Sequence, residues 1–383
     1  MEADVYQEQI QVLAFYVWTD TLILNAVKTK LNHFSDLLAD LFILKLSRIS
    51  WNLVHNLEKQ QVFRNIIWIE PPFKDMVSIK RRFLKIFSYQ QYKKNYFIQL
   101  KEITDSYTAL FSGALWSETI MLFQYLKQYN SSIEICIIEE GTANYYGFKA
   151  ILKCDPLNEL RNKIIQKIRY SNIYEEVIYA VKKMFLACPE GCLDYVEKPI
   201  YPIGEYRLSK FYQLISNCVK NLSLEVYRSR RIIFFLQPEH LLDYKKTLIL
   251  LRIIILIAHP ENIIIRPHPD TMGKVNHLKK FLDPQIYWET ERFPFEYVLY
   301  TARWETQILI SRGSSCLFYP RYILGEEPIV IFTNQLYGGI KKKREKMSLL
   351  VEKLNTLYHN SERVFQPKKI EEFKNILRRK LLS

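Results

Sequence analysis

Short apolar runs alternate along the chain with longer segments of helical periodicity. Residues 11–17 (Gln-Val-Leu-Ala-Phe-Tyr-Val) read as a buried strand, and helical spacing follows over 20–31 with Asp20 as a candidate N-cap. A strand over 39–46, a helix over 51–59 and a strand over 62–69 continue the series. This β-α-β-α-β rhythm predicts a parallel sheet covered by helices. The pattern next predicts a basic helix over 75–93, a strand over 96–100, a helix over 115–129 and a strand over 134–138. A long helical region is expected over 155–186. A second series opens near residue 230, with strands over 231–236, 263–266, 286–289, 307–311 and 328–332. Its helices are expected over 244–258, 274–282, 295–302 and 315–324, and amphipathic helices over 343–354 and 370–382 follow. Pro199, Pro202 and Gly204 cluster where the pattern turns irregular, over 200–230. Two α/β halves are therefore expected, 1–225 and 226–383, the second including the terminal helices.

Composition narrows the class. A chain of 383 residues suits two domains. Hydrophobic residues at 49% and charged residues at 25% exclude a mainly disordered or fibrous protein. Glycine is scarce, at 10 residues, which argues against folds with several glycine-rich nucleotide loops. The net charge of +14 favours anionic partners such as nucleotides, acidic glycans or lipid head groups. The basic knots (Lys80-Arg81-Arg82, Arg228 to Arg231, Lys341 to Arg344, Arg378-Arg379-Lys380) are too short for a disordered nucleic-acid arm, so no nucleic-acid partner is expected. Six cysteines do not make a disulfide framework, and Cys188 and Cys192 lack a second ligand pair for zinc. Glu2, Asp4 and Glu8 do not fit a secretory signal. The most apolar run, 248–258, is interrupted by Arg252 and is shorter than the roughly 20 residues that span a bilayer. The expected place is the cytoplasm, with peripheral contact to the inner face of an anionic membrane.

Ligands of open α/β sheets sit outside the carboxyl ends of the strands, so polar residues that follow apolar runs carry the candidate chemistry. Three places stand out. Glu139-Glu140-Gly141 closes a strand with two carboxylates and a glycine that permits a tight turn. A carboxylate there can act as a general base on a substrate hydroxyl. Arg266-Pro267-His268-Pro269-Asp270 holds an imidazole between two prolines at a strand end, where it can donate to a phosphate leaving group. Ser311-Arg312-Gly313-Ser314-Ser315 leads from a strand into a predicted helix, where N–H groups and hydroxyls can bind phosphate. The plainer readings are an acidic turn, a core histidine and a serine N-cap. His259-Pro260 repeats the dipeptide at a predicted helix end and is set aside. The sequence contains no P-loop, no G-x-G-x-x-G, no G-x-S-x-G, no H-E-x-x-H and no Asp-x-Asp, so no metal site or cofactor is assigned.

An acidic pair with glycine, then His-Pro, then a serine pair, each on a strand end and in that order, resembles the bacterial sialyltransferases. The resemblance is to glycosyltransferase family 52, the lipooligosaccharide and capsule sialyltransferases. Trp18-Thr19-Asp20, Phe234-Phe235-Leu236-Gln237-Pro238 and Pro294-Phe295-Glu296 add to it, and it spans most of residues 10–335. It implies an α/β fold of GT-B type: two Rossmann-like domains facing a central cleft, with C-terminal helices. It also implies an inverting, metal-independent transferase that uses CMP-sialic acid and a glycan or glycolipid acceptor. Glu140, where the family commonly has Asp, would be the base, alone or with Glu139 sharing the work, and Glu139 and Gly141 would lie beside it at the substrate. His268, held by Pro269, would donate to the CMP phosphate. Ser314 and Ser315 would bind that phosphate, and Glu296 would accept from ribose or cytosine. Other readings stay open: a GT-B transferase with a UDP-hexose donor, a CDP-glycerol glycerophosphotransferase, a polysialyltransferase-like enzyme, and a non-catalytic nucleotide- or glycan-binding protein. A homodimer is compatible with all of them.

Overall fold

A computed structural model describes residues 11–46, 49–71, 89–146, 173–193, 197–205, 209–220, 222, 224–238, 241–269, 271, 275–299, 304–337 and 341–382. The chain forms two compact units, Met1–Pro189 with Val196–Leu214, and Glu190–Tyr195 with Ile215–Ser383.

The sheet of the first unit contains β1 (Val12–Val17), β2 (Leu38–Leu44), β3 (Asn65–Ile69), β4 (Tyr107–Ser112), β5 (Glu134–Ile138), β6 (Val181–Leu186) and β7 (Ile200–Pro202). Its order is β3-β2-β1-β4-β5-β6-β7, and every neighbouring pair is parallel. The helices are α1 (Asp20–His33), α2 (Trp51–Gln60), α3 (Tyr89–Gln99), α4 (Ser117–Leu126) and α5 (Ile173–Ala180), and α6 (Ser209–Val219) belongs to this unit as far as Leu214. β1 is buried along its whole length, as a central parallel strand covered on both faces must be. Phe15 stacks on Phe111 of β4, with ring centroids 4.4 Å apart.

The sheet of the second unit contains β8 (Ile232–Phe235), β9 (Ile263–Arg266), β10 (Tyr287–Trp288), β11 (Ile308–Ser311), β12 (Ile329–Phe332) and β13 (Val364–Phe365). Its order is β10-β9-β8-β11-β12-β13, again parallel throughout. The helices α7 (Tyr244–Ala258), α8 (Lys341–Leu357) and α9 (Ile370–Leu382) belong to this unit. α7 and α9 bury Leu250, Leu251, Ile254, Phe373 and Leu377 against Ile232, Ile263 and Ile308 of the sheet. Both sheets contain the doubly wound strand order in which direction reverses beside the first strand. Two such Rossmann-like units in one chain, with C-terminal helices, are the GT-B architecture. Among the described residues no helix is long and apolar enough to cross a membrane.

Several expected elements change. Residues 96–100 are not a strand: Tyr92, Tyr96 and Leu100 are the buried positions, four residues apart, and Tyr89–Gln99 is helical. The region expected to be one helix over 155–186 ends as helix α5 and passes directly into strand β6. No glycine or proline marks that junction, which is why the pattern hid it. Its first part, 155–172, and most of the basic helix expected over 75–93 lie outside the described residues. The irregular stretch near 200–230 holds β7 and α6. The helix expected over 315–324 is a 3-10 turn, Ser315–Leu317, followed by a wide turn, Pro320–Leu324. Pro320 cannot donate to a continuing helix.

One buried carboxylate ties the first sheet together at the edge opposite the strand C-termini. Asp40 on β2 accepts from Arg64 Nε and Nη2 (3.0 and 2.5 Å), Asn65 N and Nδ2 (3.1 and 3.0 Å) and Tyr107 Oη (2.6 Å). The hydrogen bond to Asp40 raises the Arg64 guanidinium above its ordinary range, against partial desolvation. Asp40→Ala strands these donors and should cost about 3–5 kcal/mol, the range for breaking a buried pair. Asp105, the half-exposed second partner of Arg64, should cost less than about 1 kcal/mol when replaced by alanine. Thermal denaturation of the two variants tests the assignment, and equal losses would refute it.

Candidate functional site

In the first unit strand order reverses between β1 and β4, and the polar residues that end β1, β4 and β5 meet there. Thr19 caps α1 by accepting from Leu22 N (3.3 Å), and Asp20 accepts from Ser50 N (2.8 Å). These bonds fix the turn that carries Trp18. The end of β5 is held from two sides. Asn25 on α1 donates to Glu139 O (2.8 Å), and Asn144 bridges by donating to Gly113 O (3.1 Å) while accepting from Glu140 N (2.9 Å).

The two glutamates are thereby separated. Glu139 is buried, and its Oε2 accepts from Tyr145 Oη and Ala187 N, both at 2.7 Å. Tyr145 Oη accepts in turn from Cys188 N (3.2 Å). Glu139 therefore braces the β5 end against the loop after β6. Glu140 is half-buried, and its Oε1 accepts from Trp18 Nε1 at 2.5 Å. Gly113 lies against it: a Cβ there would fall 3.0 Å from Glu140 Cβ and 3.1 Å from Leu22. A larger residue at 113 would therefore press on Glu140 and Leu22. Gly141 N lies 3.3 Å from Asn144 Oδ1, so the turn after the pair closes on the same side chain.

In the second unit β9 ends in Arg266, a buried guanidinium. Its Nη1 donates to Tyr227 Oη (2.5 Å), its Nη2 donates to Phe293 O, and Glu289 lies 3.9 Å away. The guanidinium also sits over the Phe293 ring, 4.4 Å from the centroid. Desolvation opposes this charge, but Tyr227, Cys316 and Glu289 outweigh it and hold the Arg266 pKa above its ordinary value. Tyr227 Oη donates to Glu289 Oε2 (3.0 Å), and burial raises this phenol. Arg266 thus connects the segment that leads to His268 with the segment that leads to Glu296. His268 is half-buried; its carbonyl accepts from Thr271 N and Oγ1, both at 2.8 Å, in a tight turn through the exposed Pro269. Glu296 is buried at the start of a short helical turn, Glu296–Leu299.

β11 ends in Ser311, whose Oγ donates to Phe235 O (3.1 Å) and accepts from Gln237 Nε2 (2.9 Å) and Ser314 N (3.3 Å). Strand order in this sheet reverses between β8 and β11, so Ser311 pins the reversal. Ser314 Oγ accepts from Cys316 N (3.3 Å) and caps the 3-10 turn. Burial pushes the Cys316 thiol up to about 12; the Ser314 hydrogen bond and Arg266 pull it down, and Glu296 pushes it further up. Those influences place Glu296, Arg266 and the Ser314–Cys316 turn within electrostatic reach of one another. Because the turn is short, a phosphate here would be held by hydroxyls and individual N–H groups rather than by a helix dipole. Among the described residues no three His, Cys, Asp or Glu side chains gather as a metal site. The discounted His259 caps α7 with φ 61°, at a helix end as expected.

No family model and no curated protein matches the chain. By structure it is similar to a UDP-glucosyltransferase of Polygonum tinctorium, at 11% identity over 97% of this chain and 92% of that one, TM-score 0.49. A UDP-N-acetylglucosamine 2-epimerase of Rickettsia bellii is similar at 13% identity over 97% and 95%, TM-score 0.47. A sialyltransferase of Photobacterium damsela is similar at 9% identity over 93% and 81%, TM-score 0.47. Likeness at this level fixes no donor and no acceptor.

Asn144 and Gly113 escape sequence reasoning, since each follows a strand without a motif of its own, whereas Gln237 lies in the Phe234–Pro238 run that the sequence already marks. The two glutamates give a direct test. Glu139→Ala should destabilise the protein by about 2–3 kcal/mol, because Tyr145 Oη and Ala187 N lose a charged acceptor. Glu140→Gln should stay within about 1 kcal/mol. Urea unfolding followed by tryptophan fluorescence reads both, and the reverse ranking would sink the division of roles.

Proposed function

We propose that the chain is an inverting glycosyltransferase that moves sialic acid from CMP-sialic acid to a galactose-type hydroxyl of a surface glycan, lipooligosaccharide or capsule. The observation that carries this reading is the separation of the two carboxylates at the end of β5. Glu139 is engaged as a brace, while Glu140 stands half-buried at the reversal of strand order beside Trp18. A carboxylate in that position suits general-base work on an acceptor hydroxyl. The sialyl donor is supported by the ordered Glu-Glu-Gly, His-Pro and Ser-Ser motifs, all of which fall at strand ends.

In the proposed step the acceptor oxygen attacks the anomeric carbon as the bond from that carbon to the phosphate oxygen breaks. Glu140 takes the acceptor proton, and one displacement inverts the anomeric centre. CMP leaves with its single phosphate stabilised by His268, Ser314 and Ser315, groups able to do this through hydrogen bonds and one imidazolium. Glu296 serves the ribose or cytosine. Arg266 acts through others, by holding the segments on which His268 and Glu296 sit. The charge of +14 suits an acidic glycolipid acceptor at a membrane surface.

The test is nucleotide release by the purified protein, offered CMP-sialic acid, CDP-glycerol, UDP-glucose and UDP-N-acetylglucosamine in parallel, with EDTA present. CMP should appear from CMP-sialic acid alone. Glu140→Gln and His268→Ala should each lower the rate by about 10²–10⁴ without lowering the melting temperature. Release from another donor would retain a transferase and discard the sialyl reading. Loss of fold in both variants would turn the two residues into structural ones.

A second measurement concerns the surface. Binding to vesicles that contain anionic lipid should weaken steeply between about 0.1 and 1 M salt, as the screening length falls from about 10 to 3 Å. Binding insensitive to salt would point to apolar insertion.

A further inference from the structure

α7 departs from the pattern of a surface helix. Its inner side buries Thr247, Leu250, Leu251, Ile254 and Ala258. The opposite side of such a helix is ordinarily polar, so that water meets charges there. Here the outward line is Lys245, Ile249, Arg252 and Leu256, spaced four, three and four residues apart, which places them on one helix face. Leu256 is 85% exposed and Ile249 39%. Leu248, Ile253 and Ile255 flank the line and are half-buried. Adjoining apolar residues left open to water in this way mark a surface that meets another body.

Charge identifies the kind of body. The charged residues of Tyr244–Ala258 are Lys245, Lys246 and Arg252, all cations. Asp243, the N-cap, is engaged by Lys246 N (3.1 Å). The surface continues onto α9. Arg231 donates to the carbonyls of Lys380 and Leu381, both at 2.8 Å, and Arg230 to that of Ile263 (3.0 Å), just after α7. The ends of the two helices are thereby gathered at the start of β8. α9 adds Leu382, 89% exposed, and the exposed Arg378 and Arg379. Two carboxylates near this end each lie beside a cation: Glu261 within electrostatic reach of Arg230, and Glu362 3.7 Å from Lys380. Aliphatic side chains and cations interleaved on one helix face suit the interface of a bilayer with anionic head groups. A second copy of the chain fits less well. A two-fold pairing through the middle of α7 would set Arg252 against its own copy, like charge on like.

We propose that the outward face of α7, with the end of α9, is the surface by which the second unit docks on an anionic lipid bilayer. Ile249 and Leu256 enter between the head groups, and Lys245 and Arg252 meet the lipid phosphates. This rests on the membrane-surface part of the proposed function and deepens it by naming the face; it needs neither donor nor acceptor. α3 in the first unit supplies the contrast. It is as basic, with Lys93, Lys94 and Lys101, but presents one exposed aliphatic residue among them, Ile98.

Co-sedimentation of the full chain with vesicles tests the face, using equimolar phosphatidylcholine and phosphatidylglycerol against phosphatidylcholine alone. The unmodified chain should bind the anionic vesicles about 10-fold or more tightly than the neutral ones. Ile249→Ser combined with Leu256→Ser should weaken binding to the anionic vesicles by roughly 10-fold, the scale of two lost aliphatic contacts. Lys245→Gln combined with Arg252→Gln should weaken it by a similar factor and flatten its decline with salt. All four side chains are exposed, so the melting temperature of both double variants should stay within about 2 °C of the unmodified chain. Ile98→Ser should leave binding as it is. Absence of binding by the unmodified chain, undiminished binding by the α7 variants, or loss on Ile98→Ser in their place would overturn the proposal. A dimer seen by light scattering that Leu256→Ser dissociates, without vesicle binding, would give the face to a second copy and overturn it too. Binding is read without nucleotide or glycan, so its outcome is separate from the release assay that tests the transferase reading.

Discussion

The hydrogen bonds that hold the last residues of β5 are the constraint on which the first unit's candidate site depends. Consecutive residues of an extended chain project to opposite sides, so a pair of adjacent glutamates at a strand end must divide. Asn25 and Asn144 decide the direction of the division. Asn25, buried on α1, grips the carbonyl of Glu139; Asn144 grips the amide of Glu140 and the carbonyl of Gly113. With the backbone fixed at both amino acids, one carboxylate turns to the loop after β6 and the other to Trp18. Gly113 fits this arrangement closely, since a Cβ there would fall 3.0 Å from Glu140 Cβ and 3.1 Å from the Leu22 methyls. The site is consequently a property of backbone fixation more than of the acidic residues themselves.

The second unit reaches the same end by a different route. The segments that lead to His268 and to Glu296 are tied there through a buried guanidinium instead of buried amides. Arg266 belongs to the segment before His268, grips the carbonyl of Phe293 shortly before Glu296, and lies within electrostatic reach of Cys316 beside Ser315. A buried charge of this kind is costly to desolvate, and apolar replacements of buried ion pairs are often as stable or more so. What the guanidinium offers is direction: its planar fork meets a hydroxyl, a carbonyl and an aromatic face at fixed angles, which an aliphatic side chain cannot do. The brace therefore makes sense as orientation of loops.

The legible part of the molecule is the part set by local pattern. Strand ends show in the sequence as a change from apolar to polar residues, so pattern alone puts Glu139, Glu140, His268, Ser314 and Ser315 at the carboxyl edges of strands. β9, α7 and α9 have unambiguous periods and carry the bounds expected of them. Strand β6 is not legible, because helix passes into strand without a turn residue. The second half of α3 is not legible as helix, because Tyr96, Phe97 and Ile98 favour strands locally, whereas residues 89–93 fall within the helix expected over 75–93. The roles of the two glutamates are hidden for a further reason. Tyr145 is only 6 residues away, but Ala187 and Trp18 are 48 and 122 residues distant, and those two pairings exist only in the folded sheet.

That last separation bears on how the unit acquires its chemistry. Trp18 follows the first strand and Glu140 follows the fifth, and β4 lies between β1 and β5, so their hydrogen bond joins positions that only the folded sheet brings together. The ordering entropy of so long a loop is met by the sheet itself, through the buried contacts of Phe15 with Phe111 and the parallel ladders on either side of β4. Little is then left for the site to spend on positioning its own groups. Trp116 stacks on Trp18, and Glu140 accepts from Trp18, at ends of strands that the sheet fixes. A site built on strands fixed in this way can carry an exposed indole and a half-buried carboxylate, two features that would be liabilities elsewhere, because the sheet and not these two side chains holds the fold.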